Sequence, residues 1–141
     1  MKTALILAAL AMSCTLNAAE WLTNLDQAMA TAKHQNKPIL IDFTGSDWCP
    51  WCVKLKQEVF DTPEFQSWAA SNVILLEIDF PRNTPQDPAT QAANQALARK
   101  LGVDGFPTVV LFTPEGMEKG RLGYQRGGAK AFIRSAELIL K

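Results

Sequence analysis

Ile39-Leu40-Ile41-Asp42-Phe43-Thr44-Gly45-Ser46-Asp47-Trp48-Cys49-Pro50-Trp51-Cys52 is the stretch on which the reading of this chain turns. Its first six residues are apolar and rich in β-branched side chains, interrupted by a single acid, and read as a buried strand. Gly45-Ser46-Asp47 is a turn signal. Pro50 suits the first position of a helix, where its missing N–H costs nothing. Cys49 therefore stands at a helix N-terminus, beside unpaired backbone N–H groups and the positive end of the helix dipole. Both favour thiolate over thiol, and the thiolate is the species that attacks a disulfide. Cys52, one turn further in, is within reach of Cys49 and more shielded.

Other uses of a Cys-x-x-Cys pair fit less well. Structural zinc normally takes four ligands, and beyond this pair the chain offers only Cys14 and His34. Attachment of c-type haem needs histidine directly after the second cysteine, where this chain has Val53. A purely structural disulfide closing so short a loop removes little unfolded-state entropy.

Upstream, Leu22, Leu25, Ala28, Met29 and Ala32 recur at helical spacing, so Trp21 to His34 is expected to be a helix, capped by Thr23 or Asn24 and ended by Pro38. Downstream, the helix opened by Pro50 is expected to run to Phe60 with Trp51, Leu55, Val59 and Phe60 on one buried side. Asp61-Thr62-Pro63-Glu64 starts another helix. Val73 to Phe80 is a second buried strand, and Pro81 to Pro88, with Arg82, a solvated surface loop. A helix over Ala89 to Leu101 stops at Gly102. Thr108 to Phe112 and Met117 to Leu122 form a hairpin about Thr113-Pro114-Glu115-Gly116, and an amphipathic helix over Ala129 to Leu140 closes the domain. Trp68, Phe65 and Phe112 read as core. Alternating strands and helices followed by a hairpin imply an α/β domain, with a central mixed sheet of four strands and helices on both faces.

A chain of 141 residues suits one domain. With 14 basic and 14 acidic side chains and no block of like charge, nothing points to nucleic acid or an anionic membrane surface as partner. Residues 1–19 read as a signal peptide: Lys2, then the uncharged run Ala4 to Met12, too short to span a bilayer, then small residues ending in Ala18-Ala19. The domain is then 20–141, in the periplasm or secreted. Ala11-Met12-Ser13-Cys14 stands as a second reading, a lipoprotein cleavage box that would leave Cys14 lipidated and the protein membrane-anchored. Either way the domain keeps two cysteines, in a compartment where disulfides persist.

Over nearly all of this span the chain resembles the thioredoxin-like family. Ile39 to Phe43 followed by Trp48-Cys49-Pro50-Trp51-Cys52 is similar to the family's strand, buried acid and active-site helix. Val103-Asp104-Gly105-Phe106-Pro107-Thr108 is similar to the segment bearing its cis-proline, and the Thr113–Gly116 hairpin and last helix sit where the family has them. The subgroup most similar is the exported bacterial proteins with a tryptophan-flanked Cys-x-x-Cys, together with the thiol-reducing domains of periplasmic disulfide-interchange proteins. The resemblance implies Cys49 as nucleophile, Cys52 as resolving thiol, Asp42 as the buried acid taking the Cys52 proton, and Pro107 as a cis-proline presenting substrate backbone. A local cap or ion pair is the other use for Asp42. Trp48, Trp51 and Phe106 are candidate substrate contacts, with core packing as the other reading of Trp48. Two departures stand out: one extra residue separates Asp42 from Cys49, and an apolar residue near Leu75 replaces the lysine thioredoxin places beside its acid. Pro50-Trp51 is closer to the Pro-aromatic pair of glutaredoxin, without a glutathione-binding signature.

The function so implied is reduction or isomerisation of disulfides in exported proteins, with a redox partner recycling the dithiol and no cofactor. Net oxidation, or a non-catalytic docking module, are the alternatives.

Overall fold

The computed structural model describes residues 18–141. The proposed leader, including Cys14, therefore lies outside the described residues except for Ala18 and Ala19. A five-stranded mixed sheet carries helices on both faces. The strands are β1 (Trp21–Leu22), β2 (Ile39–Thr44), β3 (Ile74–Asp79), β4 (Thr108–Phe112) and β5 (Glu118–Leu122), in the order β1-β3-β2-β4-β5. β3 runs parallel to β1 and β2, while β4 is antiparallel to β2 and β5. The helices are α1 (Leu25–Gln35), α2 (Pro50–Leu55), α3 (Pro63–Asn72), α4 (Pro88–Leu101) and α5 (Gly128–Leu140).

The sheet has one strand more than the four expected. Asn24 is the reason: its side chain accepts the Gln27 N–H at 2.9 Å and starts α1 there. Trp21 and Leu22 are left extended and pair with Leu75 and Leu76 instead of joining the helix. The helix opened by Pro50 also differs from expectation. After Leu55 it widens into a π-helical turn over Lys56–Phe60, closed by Asp61 N–H on the Lys56 carbonyl at 2.8 Å. Val59 and Phe60, though adjacent, both reach the core.

β2 is buried along its whole length, as befits a central strand covered on both faces. Leu40 points to the face packed by α2, α3 and α5, among Leu55, Val59, Phe65, Phe132 and Leu75. Ile39, Ile41 and Phe43 point to the other, against Ala28 and Ala32 of α1 and Leu97 and Ala98 of α4. With a period of two, Asp42 continues the Leu40 row. A carboxyl thus sits where the pattern calls for a hydrocarbon, at the end of the strand that leads to the dithiol.

Candidate active site

The segment after β2 is wound tightly. Trp48 and Cys49 N–H groups both bond the Gly45 carbonyl, at 3.3 and 2.9 Å. Gly45 has to be glycine: a Cβ there would lie 2.5 Å from the Trp48 indole. Cys49 is the extended N-cap of α2, and its Sγ accepts the Cys52 N–H at 3.3 Å. Pro50 follows at the first helical position, as the sequence implied. The Gly45 N–H lies 3.5 Å from the Cys52 Sγ. The two cysteines are joined as a disulfide, with Cα atoms 5.2 Å apart. In this oxidised form Cys49 is 5% and Cys52 3% exposed, so the expected contrast of open and shielded sulfur is absent.

The two tryptophans beside the dithiol have different surroundings. Trp48 is half-buried; its indole N–H donates to the Phe80 carbonyl at 2.7 Å and its ring meets Phe106 edge-on. The Arg82 guanidinium lies 3.5 Å from the Trp48 ring centre, so the loop after β3, mostly exposed as expected, touches the Trp48 ring through this one side chain. Trp51 is 54% exposed, not on the buried side of its helix as expected; it leans on Tyr124, with Lys54 over both rings. Tyr124 in turn donates to Glu58 at 2.7 Å, a bond that raises the phenol's pKa above its ordinary value. The Phe106–Pro107 peptide is cis.

Two carboxylates, read from sequence as a turn residue and the end of a strand, strap the loops at this end of the sheet. Asp79, closing β3, accepts the Ser46 N–H at 3.0 Å and the Ser46 hydroxyl at 2.5 Å. Asp47, beyond β2, accepts the Arg82 and Asn83 N–H groups at 2.9 and 2.8 Å. The Arg82 N–H, foremost, and then that of Asn83 hold the Asp47 carboxyl below its ordinary pKa. One aspartate closing a strand and another in the turn just past its parallel neighbour were the available signal. Parallel strands bring their C-terminal loops together.

Asp42 is 6% exposed, and its Oδ1 has no hydrogen-bond partner. Burial, reinforced by the charges of Glu77 and Asp79, pushes its pKa up to about 8. It borders a cavity of about 150 Å³ behind the dithiol, shared with Cys52, Lys56, Asp61 and Glu77. Glu77 and Lys56 were not singled out from the sequence: Glu77 is an acid within an otherwise mostly apolar strand, whereas Lys56, among Lys54, Gln57 and Glu58, carries no signal of its own.

A model of the thioredoxin-like domain matches residues 25–133. The chain belongs to the thioredoxin-like family. It is 35% identical over 115 residues to the disulfide bond reductase DsbH of Chlamydia pneumoniae, covering 82% of this chain and 69% of that protein. The thiol:disulfide interchange protein DsbD of Klebsiella pneumoniae is 37% identical over 98 residues, 70% of this chain but 14% of DsbD. Among solved structures, that of the DsbH oxidoreductase superposes with a TM-score of 0.82 at 32% identity, covering 88% of this chain and 85% of the other. The C-terminal domain of Neisseria meningitidis DsbD, reduced form, superposes with a TM-score of 0.60 at 27% identity, covering 81% and 92%. This thioredoxin-like protein is an oxidoreductase, and its cysteine pair occupies the strand-to-helix junction of the fold.

Proposed function

We propose that the protein reduces or isomerises disulfides in exported proteins, cycling between the Cys49–Cys52 disulfide and the dithiol. The observation that carries this reading is the N-cap geometry of Cys49. Its sulfur already accepts the Cys52 N–H, so a negative charge developing there meets a donor and a helix N-terminus. Cys49 attacks the client disulfide, and a mixed disulfide forms. Cys52 then loses its proton towards Asp42 and attacks Cys49, releasing the client as a thiol. Trp48, which meets Phe106 edge-on ahead of the cis Pro107, and Trp51, on the other side of Cys49 in the chain, are in this reading the surfaces the client touches. The reductive direction is supported by the similarity to DsbH, a disulfide bond reductase, along most of both chains. Export through residues 1–19, with Cys14 lipidation as its variant, and recycling by a separate redox partner complete the proposal.

Insulin reduction with dithiothreitol as electron source tests it. Wild type should precipitate insulin B chain well above the thiol-only rate, Cys49→Ser should not, and Cys52→Ser should accumulate mixed disulfides with client. Adducts on Cys49→Ser but none on Cys52→Ser would reverse the two roles. A couple far more oxidising than about −180 mV would turn the direction to net oxidation.

A further inference from the structure

Nothing in the exchange chemistry itself requires a second carboxyl near the dithiol, yet one is there. Asp42 and Glu77 are register partners on the parallel pair β2–β3. Register partners on adjacent strands present their side chains to the same face about 5 Å apart. Both border the cavity that also reaches Cys52. Asp42 is the inner member, more than nine-tenths buried with one oxygen unpartnered, and Glu77 the outer, half-buried one. The charged or titratable groups around them come from three elements. β3 supplies Asp79, whose oxygens are taken by Ser46. The active-site helix supplies Cys52 and Lys56, and the turn after it Asp61, which binds Lys56 at 2.7 Å. The rest of the lining is neutral. Lys56 is thus the cation on the cavity rim, and β3 carries none of its own.

We propose that Glu77 is a positioning residue for thiol–disulfide exchange: its charge, tempered by Lys56, decides when the Asp42 carboxyl can take the Cys52 proton. The inference rests on the assignment of Cys52 as resolving thiol. In that step the Cys52 thiol proton passes to the Asp42 carboxylate. The Cys52 sulfur bonds to Cys49, the bond from Cys49 to the client sulfur breaks, and the electron pair leaves on the client thiolate, which is protonated from solvent. Asp42 afterwards returns its proton to water through the cavity. Two carboxyls facing one small cavity do not both ionise easily, so the pair retains a proton into the neutral range. The directions agree with this: burial first, then Asp79, raises the pKa of Glu77, while Lys56 lowers it.

The test follows the reduced protein with dithiobis-nitrobenzoate. The first nitrothiobenzoate released reports attack by Cys49, and the second reports resolution by Cys52. The pH midpoint of the second release should fall by about one unit in Glu77→Gln, stay near wild type in the charge-preserving Glu77→Asp, and rise in Lys56→Gln. Shifts of opposite sign are not the signature of loosened packing. An unchanged midpoint in Glu77→Gln, or a shift of the same sign in Lys56→Gln, overturns the proposal. Carboxyl NMR titration of Asp42 in the oxidised protein runs alongside and needs no turnover. If wild type shows a first release but no second, the Cys52 assignment is what fails. The Asp42 midpoint in Glu77→Gln then decides the carboxyl pair on its own: a fall keeps it, no change removes it.

Discussion

Trp48 and Trp51 look equivalent in sequence, one on either side of Cys49, and they are opposites in the structure. Trp48 is held on every side: Gly45 beneath it, the Phe80 carbonyl on its N–H, Phe106 at its edge and Arg82 across its face. Trp51 keeps more than half its surface in solvent and rests only on Tyr124 and Lys54. The first joins the loops after β2 and β3 into a rigid wall for the dithiol. The second is an exposed apolar surface beside it, which under the proposed function meets a client at little cost in the protein's own packing. Aromatic side chains with one wet face are well suited to such contacts.

The contrast can be broken most directly by Trp48→Ala. It removes a large side chain and leaves the Phe80 carbonyl without its donor, and should cost about 3–5 kcal/mol of stability by urea denaturation. A loss under about 1 kcal/mol would mean that Trp48 is as peripheral as Trp51. Gly45→Ala attacks the same wall from beneath, because its Cβ meets the Trp48 ring with no room to spare. We expect about 1–3 kcal/mol of destabilisation, carried by displacement of the indole. The NMR signal of the Trp48 indole N–H should move strongly, and that of Trp51 should not.

Acid should loosen the Trp48 wall through its strap. The Asp47 carboxyl has its pKa lowered from 3.8 in the folded protein, chiefly by the Arg82 N–H. Its contribution is therefore complete above the ordinary aspartate range and is lost as pH falls through the lower folded value. The Trp48 indole signal should shift in that acid window, and the shift should vanish in Asp47→Asn; persistence there would assign it to another group. The smallest stability effect is expected for Trp51→Ala, about 0.5 kcal/mol. Its consequence should be a raised KM for client reduction with kcat little changed. A fall in kcat without change in KM would move Trp51 from docking to chemistry.

Much of this was legible before any coordinates. The dithiol motif between a buried strand and a proline-started helix placed Cys49 correctly, because capping and burial are local properties of the chain. The hairpin about Gly116 and the stop at Gly102 rest on backbone conformations that glycine favours, at φ 89° and 64°. Trp21–Leu22 misled because two residues carry no period of their own: only their pairing with β3 makes them a strand. The Asp47 and Asp79 straps were hidden for a related reason, since each partner lies more than 30 residues away along the chain. Trp51 was misassigned because the buried face of α2 runs through Cys52 and Leu55, and in a helix of six residues only tertiary packing fixes that face.

The two outer strands have a bearing on how the molecule behaves in a crowded compartment. An open sheet exposes unpaired N–H and C=O groups along both margins, a template onto which a stray extended chain can add. At one margin stands β1, only two residues long. At the other, β5 presents Glu118, Lys119 and Arg121 to solvent. The sheet thus ends in a short border on one side and a charged one on the other, and self-association through sheet addition is disfavoured at both ends.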